Sequence, residues 1–145
     1  METTWLLRTF DELTAAQLYA IVELRERVFV VEQRCVYLDA DGLDRSARHL
    51  WAERGGAMVA YLRILPAGLK YKEVAIGRVV TARAARGGGL GRELVRRGID
   101  ACGHVPIRIS AQAHLEEWYR QLGFKRASEI YDEDGIAHID MLRTP

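Results

Sequence analysis

An α/β domain with a mixed β-sheet is predicted from three observations. Apolar strand-like runs alternate with amphipathic helical ones. Residues 74–111 read strand, glycine turn, helix, strand, which implies a parallel crossover unit. Gly55-Gly56 and Asp134-Gly135 read as hairpin turns, which require antiparallel neighbours. The 145 residues, 49% of them hydrophobic, suit one domain spanning 1–145 around one core.

The elements follow in order. Trp5 to Phe10 reads as a short first strand. Thr14-Ala15-Ala16-Gln17 has the spacing that satisfies two orphan backbone donors, so a helix starts there. Leu18, Ile21, Val22, Val28 and Phe29 form its apolar face, with Glu23, Arg25, Glu26 and Arg27 between them. Cys35 to Asp44 is irregular and turn-rich. Arg48 to Glu53 and Val59 to Leu65 are strands joined by the Arg54-Gly55-Gly56 turn, the second ending before Pro66 and Gly68. Val74 to Thr81 is a nearly all-apolar strand. The helix from Gly89 to Gly103 buries Leu90, Leu94, Val95 and Ile99. Pro106 to Ala111 is a strand, and His114 to Gly123 a helix with Leu115, Trp118 and Leu122 inward. Arg126 to Tyr131 and Ile136 to Leu142 are the last two strands.

Charge excludes several partners. Lys+Arg 21 against Asp+Glu 20 leaves +1, so no global field draws the chain to nucleic acid or an anionic membrane. Any anion site is therefore local. The first ten residues include Glu2 and Arg8, and no apolar run reaches the ~20 residues that span a bilayer. Cys35 and Cys102 form no Cys-x-x-Cys pair and are too few for a disulfide framework, which suits a reducing cytoplasm. His49, His104, His114 and His138 are scattered, with no metal-ligand spacing, so a metal-free protein is expected. A homodimer would be ordinary at this size.

The informative segment is Arg83-Ala84-Ala85-Arg86-Gly87-Gly88-Gly89-Leu90-Gly91, between an apolar strand and an amphipathic helix. Consecutive glycines let a ligand approach the main chain, and the helix start offers unpaired N–H groups at a positive dipole end. That combination suits phosphate. Arg83, Arg86 and Arg92 add cationic donors for a pyrophosphate or a 3′-phosphate. A Walker A loop would need Lys and Ser/Thr after its last glycine, where Arg92 and Glu93 stand. The dinucleotide fingerprint fails too, since its third glycine falls on Arg92 or Leu94.

Arg86-Gly87-Gly88-Gly89-Leu90-Gly91 resembles the Gln/Arg-x-x-Gly-x-Gly/Ala motif of the GNAT superfamily of N-acetyltransferases, and a strand precedes it as that motif requires. His114-Leu115-Glu116-Glu117-Trp118-Tyr119-Arg120-Gln121-Leu122-Gly123-Phe124 is similar to the superfamily's second signature, with Trp118 where Phe or Tyr is commoner. Phe29-Val30-Val31-Glu32-Gln33-Arg34-Cys35-Val36-Tyr37 and Asp134-Gly135-Ile136-Ala137-His138-Ile139 resemble the ElaA-type subfamily, so the likeness spans nearly the whole chain. It implies a mixed, strongly twisted sheet of about six or seven strands flanked by helices, splayed open after Val74 to Thr81. Acetyl-coenzyme A (acetyl-CoA) would lie in that V as cosubstrate. Backbone N–H groups of Val79, Val80 and Thr81 would follow the pantetheine arm, and the turn from Arg86 through Gly87, Gly88, Gly89, Leu90 and Gly91 to Arg92 would hold the phosphates.

Moving an acetyl group from a thioester to an amine needs a neutral nucleophile, donors for the developing oxyanion and a proton for the thiolate. The resemblance assigns that proton to Tyr119, whose phenol can donate without first ionising; a ring that only packs is the plain alternative. Glu32 and His138 lead as general base, Glu32 on the expectation of apolar neighbours that raise its pKa. His49, Asp132 and a water chain stay open. Gln33, Tyr37, Asp39, Asp41 and Asp44 follow the first helix, where the superfamily builds its acceptor groove, and their acidity suits a cationic small-molecule or peptide amine. No covalent nucleophile motif is present, which favours direct transfer in a ternary complex. An idle acyl-CoA sensor and a nucleotide-binding module are the competing readings.

Overall fold

The computed structural model describes residues 2–145. Its elements are β1 (Thr4–Thr9), α1 (Ala15–Arg25), β2 (Arg48–Arg54), β3 (Ala57–Leu65), β4 (Val74–Thr81), α2 (Leu90–Cys102), β5 (Ile107–Gln112), α3 (Glu116–Arg120), β6 (Lys125–Arg126), β7 (Tyr131–Glu133) and β8 (Ile136–Arg143). Local chemistry sets their ends. Thr14 Oγ1 accepts the Gln17 N–H at 3.1 Å while Gln17 Oε1 accepts the Thr14 N–H at 3.0 Å, the expected start of α1. Gly55 and Gly56 take φ of +57° and +79°, and Asp134 and Gly135 take +53° and +83°, as type I′ hairpin turns require.

Strand order is β1-β2-β3-β4-β5-β8-β6, with β7 also on β8 and only β4–β5 parallel. The sheet has eight strands, one more than the sequence reading gives, because Arg126 to Tyr131 is not one strand. Ser128 Oγ accepts the Asp140 N–H at 2.8 Å, replacing a ladder partner, and the chain leaves the sheet until Tyr131. β6 and β7 consequently pair with opposite ends of β8.

Instead of one core there is a core on each face. Alternation along β3 sends Ala60, Leu62 and Ile64 to α2 and α3, and Tyr61 to α1, where it joins Ile21, Leu24, Val28, Trp51 and Val80. Each fully buried aliphatic side chain here contributes about 1.5–3 kcal/mol. Gly98 helps seat α2: a Cβ there would lie 2.9 Å from Leu62 Cδ2, so any larger residue would make the Leu62 side chain shift. In α3 the buried side chain is Tyr119; Leu122 just beyond it is buried as expected, while Trp118, and Leu115 in the 3₁₀ turn Ala113–Leu115 before the helix, are only half-buried. No helix among the described residues is long and apolar enough to cross a membrane.

Two irregularities shape the site. After Arg25 the helix widens into a π-helical stretch, Glu26–Glu32, with Gln33 N–H donating to Val28 O at 3.0 Å and Cys35 N–H to Val30 O at 3.1 Å. In β4, Tyr61 pairs with Val80 but Arg63 with Gly77, so Arg78 and Val79 together oppose Leu62 in a β-bulge. Arg78 there has φ of +50°, a strained value for a side-chain-bearing residue.

Candidate active site

β4 and β5 are paired only at Val74–Ile107 and Ala75–Arg108, while β5 stays paired to β8 along its whole length. Beyond Ala75 the two parallel strands part, and an open cleft of about 1000 Å³ fills the gap. Its walls are Ile76 to Thr81 on one side and Ile109 to Gln112 on the other. A cleft between the diverging ends of parallel strands is where α/β sheets hold ligands.

At the Thr81 end lies the glycine turn. Gly87 and Gly89 have φ of +92° and +81°, and a Cβ on Gly87, Gly88 or Gly89 would meet nothing within 4 Å. The turn thus leaves open space before the N-terminus of the 13-residue helix α2, with Gly89 as its N-cap and no side chain capping the end. That geometry fits a phosphate group: unpaired N–H groups, the dipole end, and a cation on the same turn. The cation is Arg86, whose Nε donates to Thr81 O at 3.1 Å. Arg92 instead donates to Gln121 Oε1 at 2.8 Å, tying α2 to the end of α3.

Glu32 departs from expectation. Its neighbour is not apolar: Arg86 donates to both its carboxylate oxygens, at 2.6 and 3.1 Å, and this contact holds the Glu32 pKa below the usual carboxylate value, with Arg86 and Arg83 charge adding to the effect against partial burial. A carboxylate so held is a poor base. His49 is also spent: its Nε2–H donates to Asp44 O at 2.9 Å and its Nδ1 accepts from Tyr61 Oη at 2.6 Å, and burial lowers its pKa. Asp132 is exposed and accepts the Gly135 N–H within its own hairpin.

Tyr119 and His138 both line the cleft. Tyr119 is 6% exposed, wedged edge-on between Trp118 and Phe124 with centroids at 4.8 and 5.8 Å. Its hydroxyl has no hydrogen-bond partner among the described residues, and burial alone pushes its pKa above the usual phenol value. His138 offers Nδ1 to Ile136 O at 2.8 Å; a carbonyl only accepts, so Nδ1 carries a proton and Nε2 is the nitrogen turned away from that carbonyl. Nε2 lies 3.4 Å from Glu133 Oε2, a carboxylate placed to stabilise the imidazolium.

The acidic groove is the largest revision. Arg25 and Arg63, each 1% exposed, take up its carboxylates: Arg25 binds Asp39 at 2.8 Å and Asp44 at 2.7 Å, and Arg63 binds Asp41 at 2.6 Å and Asp44 at 2.9 Å. Arg78 adds Asp39 at 2.9 Å, so the network also grips the strained bulge. Those contacts outweigh burial and hold Asp41 and Asp44 below their usual pKa. Tyr37 donates to Asp39 Oδ1 at 2.6 Å, and burial pushes its phenol pKa up. Gln33 Oε1 accepts from Gln112 Nε2 at 3.4 Å across the cleft. The loop thus lines the cleft with its charge already neutralised. Arg25 sits one turn beyond Ile21 and beside Leu24 and Val28, and Arg63 alternates with Tyr61 and Leu65; cations on apolar faces, matched by three nearby Asp, were the available signal.

Residues 18–144 match the model of the Acetyltransferase (GNAT) domain. The chain is 43% identical to the protein ElaA of Escherichia coli K12 over 92% of this chain and 91% of that one. The crystal structure of E. coli ElaA matches over 98% of this chain and 99% of that chain, with a TM-score of 0.92 and 40% identity. An acyl-CoA N-acyltransferase from Pseudomonas aeruginosa is 44% identical, with a TM-score of 0.95 over 99% of this chain and 100% of that one. An aminoglycoside 6′-N-acetyltransferase complexed with coenzyme A shares the fold, with a TM-score of 0.69 at 14% identity and 96% coverage of each chain. With its splayed sheet and phosphate-ready turn, the chain belongs to the GNAT acyltransferases and, within them, to the ElaA-like group.

Proposed function

We propose that the protein transfers the acetyl group of acetyl-CoA to a primary amine by direct attack in a ternary complex. The observation that carries this reading is the cleft that joins the glycine turn, the β4 bulge and the free Tyr119 hydroxyl between two diverging parallel strands. The family supports acyl-CoA as donor, and the aminoglycoside enzyme of the same fold holds coenzyme A.

Acetyl-CoA supplies the activated acyl group and a thiolate leaving group. The α2 N-terminus, Gly87 to Gly89 and Arg86 bind its diphosphate. For the diphosphate to pair with Arg86, Glu32 must yield or share that guanidinium. The bulge at Arg78 and Val79 leaves one residue out of the β3–β4 ladder at the cleft, providing amide donors for the acyl carbonyl. His138 Nε2 takes a proton from the acceptor ammonium, directly or through water, with Glu133 stabilising the imidazolium. The amine lone pair forms the C–N bond as the C–S bond breaks, Tyr119 donates its phenolic proton to the departing sulfur, and the second proton of the attacking nitrogen passes to water. Bulk solvent then resets both groups.

Two expected results test these roles. In pH–rate profiles of kcat/KM, His138→Gln loses the acidic limb and falls about 10²-fold, the usual scale for a general base. Glu32→Gln keeps that limb, and its KM for acetyl-CoA moves less than about fivefold because the pair with Arg86 is part-exposed. The opposite pattern would return the base to Glu32. Gly89→Ala forces a side chain into φ +81°, costing about 1–2 kcal/mol of stability, and puts a methyl into the open phosphate space. Calorimetry should show acetyl-CoA affinity reduced roughly tenfold, equivalent to about one charge-assisted hydrogen bond.

A further inference from the structure

The face of β5 turned away from α2 carries a hydrogen-bonded row of side chains that acyl transfer, as described above, leaves unused. Alternation puts Ile107, Ile109 and Ala111 in the core under α2 and α3, so Arg108, Ser110 and Gln112 stand on the other face. Ladder pairing sets Asp140 beside Ser110 and His138 beside Gln112, and β7 adds Tyr131 beside His138. Arg108 donates to Asp140 Oδ2 from Nε at 3.1 Å and from Nη2 at 2.9 Å. Tyr131 Oη donates to Asp140 Oδ1 at 2.6 Å and is also hydrogen-bonded to Ser110 Oγ. Of these four residues, Ser110 is the one that lines the cleft.

Proton counting gives the row a direction. A carboxylate paired with a guanidinium accepts, so the Tyr131 proton goes to Asp140. A phenol has only that one proton, and its oxygen can then only accept from Ser110. Burial and the same carboxylate push the Tyr131 pKa above the usual phenol value, which keeps the proton in place. With its own proton committed to Tyr131, Ser110 Oγ has lone pairs to offer the cleft. A group that meets it there must be a donor.

Register places this oxygen near the reacting groups. Ala75–Arg108 is the last β4–β5 pair, so Ser110 stands two residues beyond the point where the strands part, level with Gly77 and just short of the bulge at Arg78 and Val79. Ser110 and His138 are diagonal neighbours on one face of the β5–β8 ladder, where such residues stand about 7–8 Å apart. Tyr131 touches both: its Oη binds Ser110, and its ring stacks on His138 with centroids 6.1 Å apart. A nitrogen resting on Ser110 is thus within direct or one-water reach of His138.

Resting on the acyl-transfer reading above, we propose that Ser110 Oγ accepts an N–H of the acceptor amine and holds the attacking nitrogen between the β4 bulge and His138. Tyr131, Asp140 and Arg108 are then positioning residues that fix the direction of the Ser110 hydroxyl. The ammonium and the neutral amine both carry N–H groups, so the contact persists through deprotonation and steers the freed lone pair to the acyl carbon. A group with only lone pairs to offer finds no donor at Ser110.

The test is thiol release from acetyl-CoA with a panel of primary amines, on wild type, Ser110→Ala, Ser110→Thr, Tyr131→Phe and the double variant Ser110→Ala/Tyr131→Phe, with the acetyl-CoA affinity of each measured by calorimetry. Ser110→Ala should raise KM for the best amine about tenfold, the scale of one hydrogen bond from a charged donor, with kcat within about threefold of wild type and acetyl-CoA affinity unchanged. Ser110→Thr keeps the hydroxyl and should restore most of the loss. Tyr131→Phe leaves that hydroxyl free to turn and should raise KM about threefold, while the double variant should match Ser110→Ala, because Tyr131 acts through Ser110. A wild-type KM in Ser110→Ala, a parallel loss of acetyl-CoA affinity, or additive effects of the two substitutions overturns the proposal while leaving acyl transfer intact. Absence of thiol release with every amine overturns both.

Discussion

Tyr119→Phe lowers kcat by about 10²-fold or more, the contribution of a positioned general acid, with acetyl-CoA affinity and thermal stability unchanged. The reason is geometric. The Tyr119 ring is packed between Trp118 and Phe124, and phenylalanine preserves that packing. The hydroxyl has no partner among the described residues, so removing it leaves no buried donor or acceptor unsatisfied. A hydroxyl kept at the base of a cleft with a raised pKa stays protonated throughout the working range and available to a leaving thiolate. Steady-state kinetics with calorimetry on the same variant separates chemistry from binding. Wild-type turnover in Tyr119→Phe would reduce the residue to a packing role.

Arg25→Met destabilises the fold by about 3–5 kcal/mol, the usual cost of removing one partner from a buried ion pair. For a chain of this size that lowers Tm by roughly 10 °C. Methionine matches the stem of Arg25 but leaves Asp39, 7% exposed, without its partner at 2.8 Å, and removes one of the two guanidinium groups on Asp44. Because Arg78 at the strained bulge depends on Asp39, kcat should fall as well in the surviving folded protein. The acid limb of stability has a defined sign. Asp41 and Asp44 have folded pKa values below their unfolded ones, so their contribution is complete above about pH 4 and is lost as pH falls through the folded values. Thermal melts at pH 7 and pH 3 should therefore show the gap between wild type and Arg25→Met narrowing in acid. A gap that widens would mean that the network's carboxylates are not held ionised by the guanidinium groups.

Much of the fold was legible because local signals and tertiary structure agree. The Thr14–Gln17 capping box, the two I′ hairpins and the α2 start at Gly89 are all residue-level devices, and each stands where its motif places it. The glycine turn was readable for the same reason: its φ values demand glycine. The π-helical stretch after Arg25 and the bulge at Arg78 left no such signal, since both arise from how α1 and β4 fit against the rest of the sheet. The split of the penultimate strand depends on one side chain, Ser128, capturing a backbone N–H twelve residues away. Charge pairing was the least legible. Glu32, Asp41 and Asp44 look like free carboxylates along the chain, and only the fold shows Arg86, Arg63 and Arg25 against them. A buried cation requires a partner, but sequence order does not say which of several acids supplies it.

If acyl transfer takes place in the cleft between β4 and β5, the protein binds acetyl-CoA through its phosphate turn and releases thiol only when an amine accepts the acyl group. The most direct measurement is thiol release from acetyl-CoA by the purified protein, with and without a panel of amines, on a preparation whose acetyl-CoA binding is measured in parallel by calorimetry. Direct transfer in that cleft predicts micromolar binding, little thiol without amine, and release that saturates with at least one amine. Binding of acetyl-CoA no tighter than that of ADP, or thiol release independent of every amine, would contradict it.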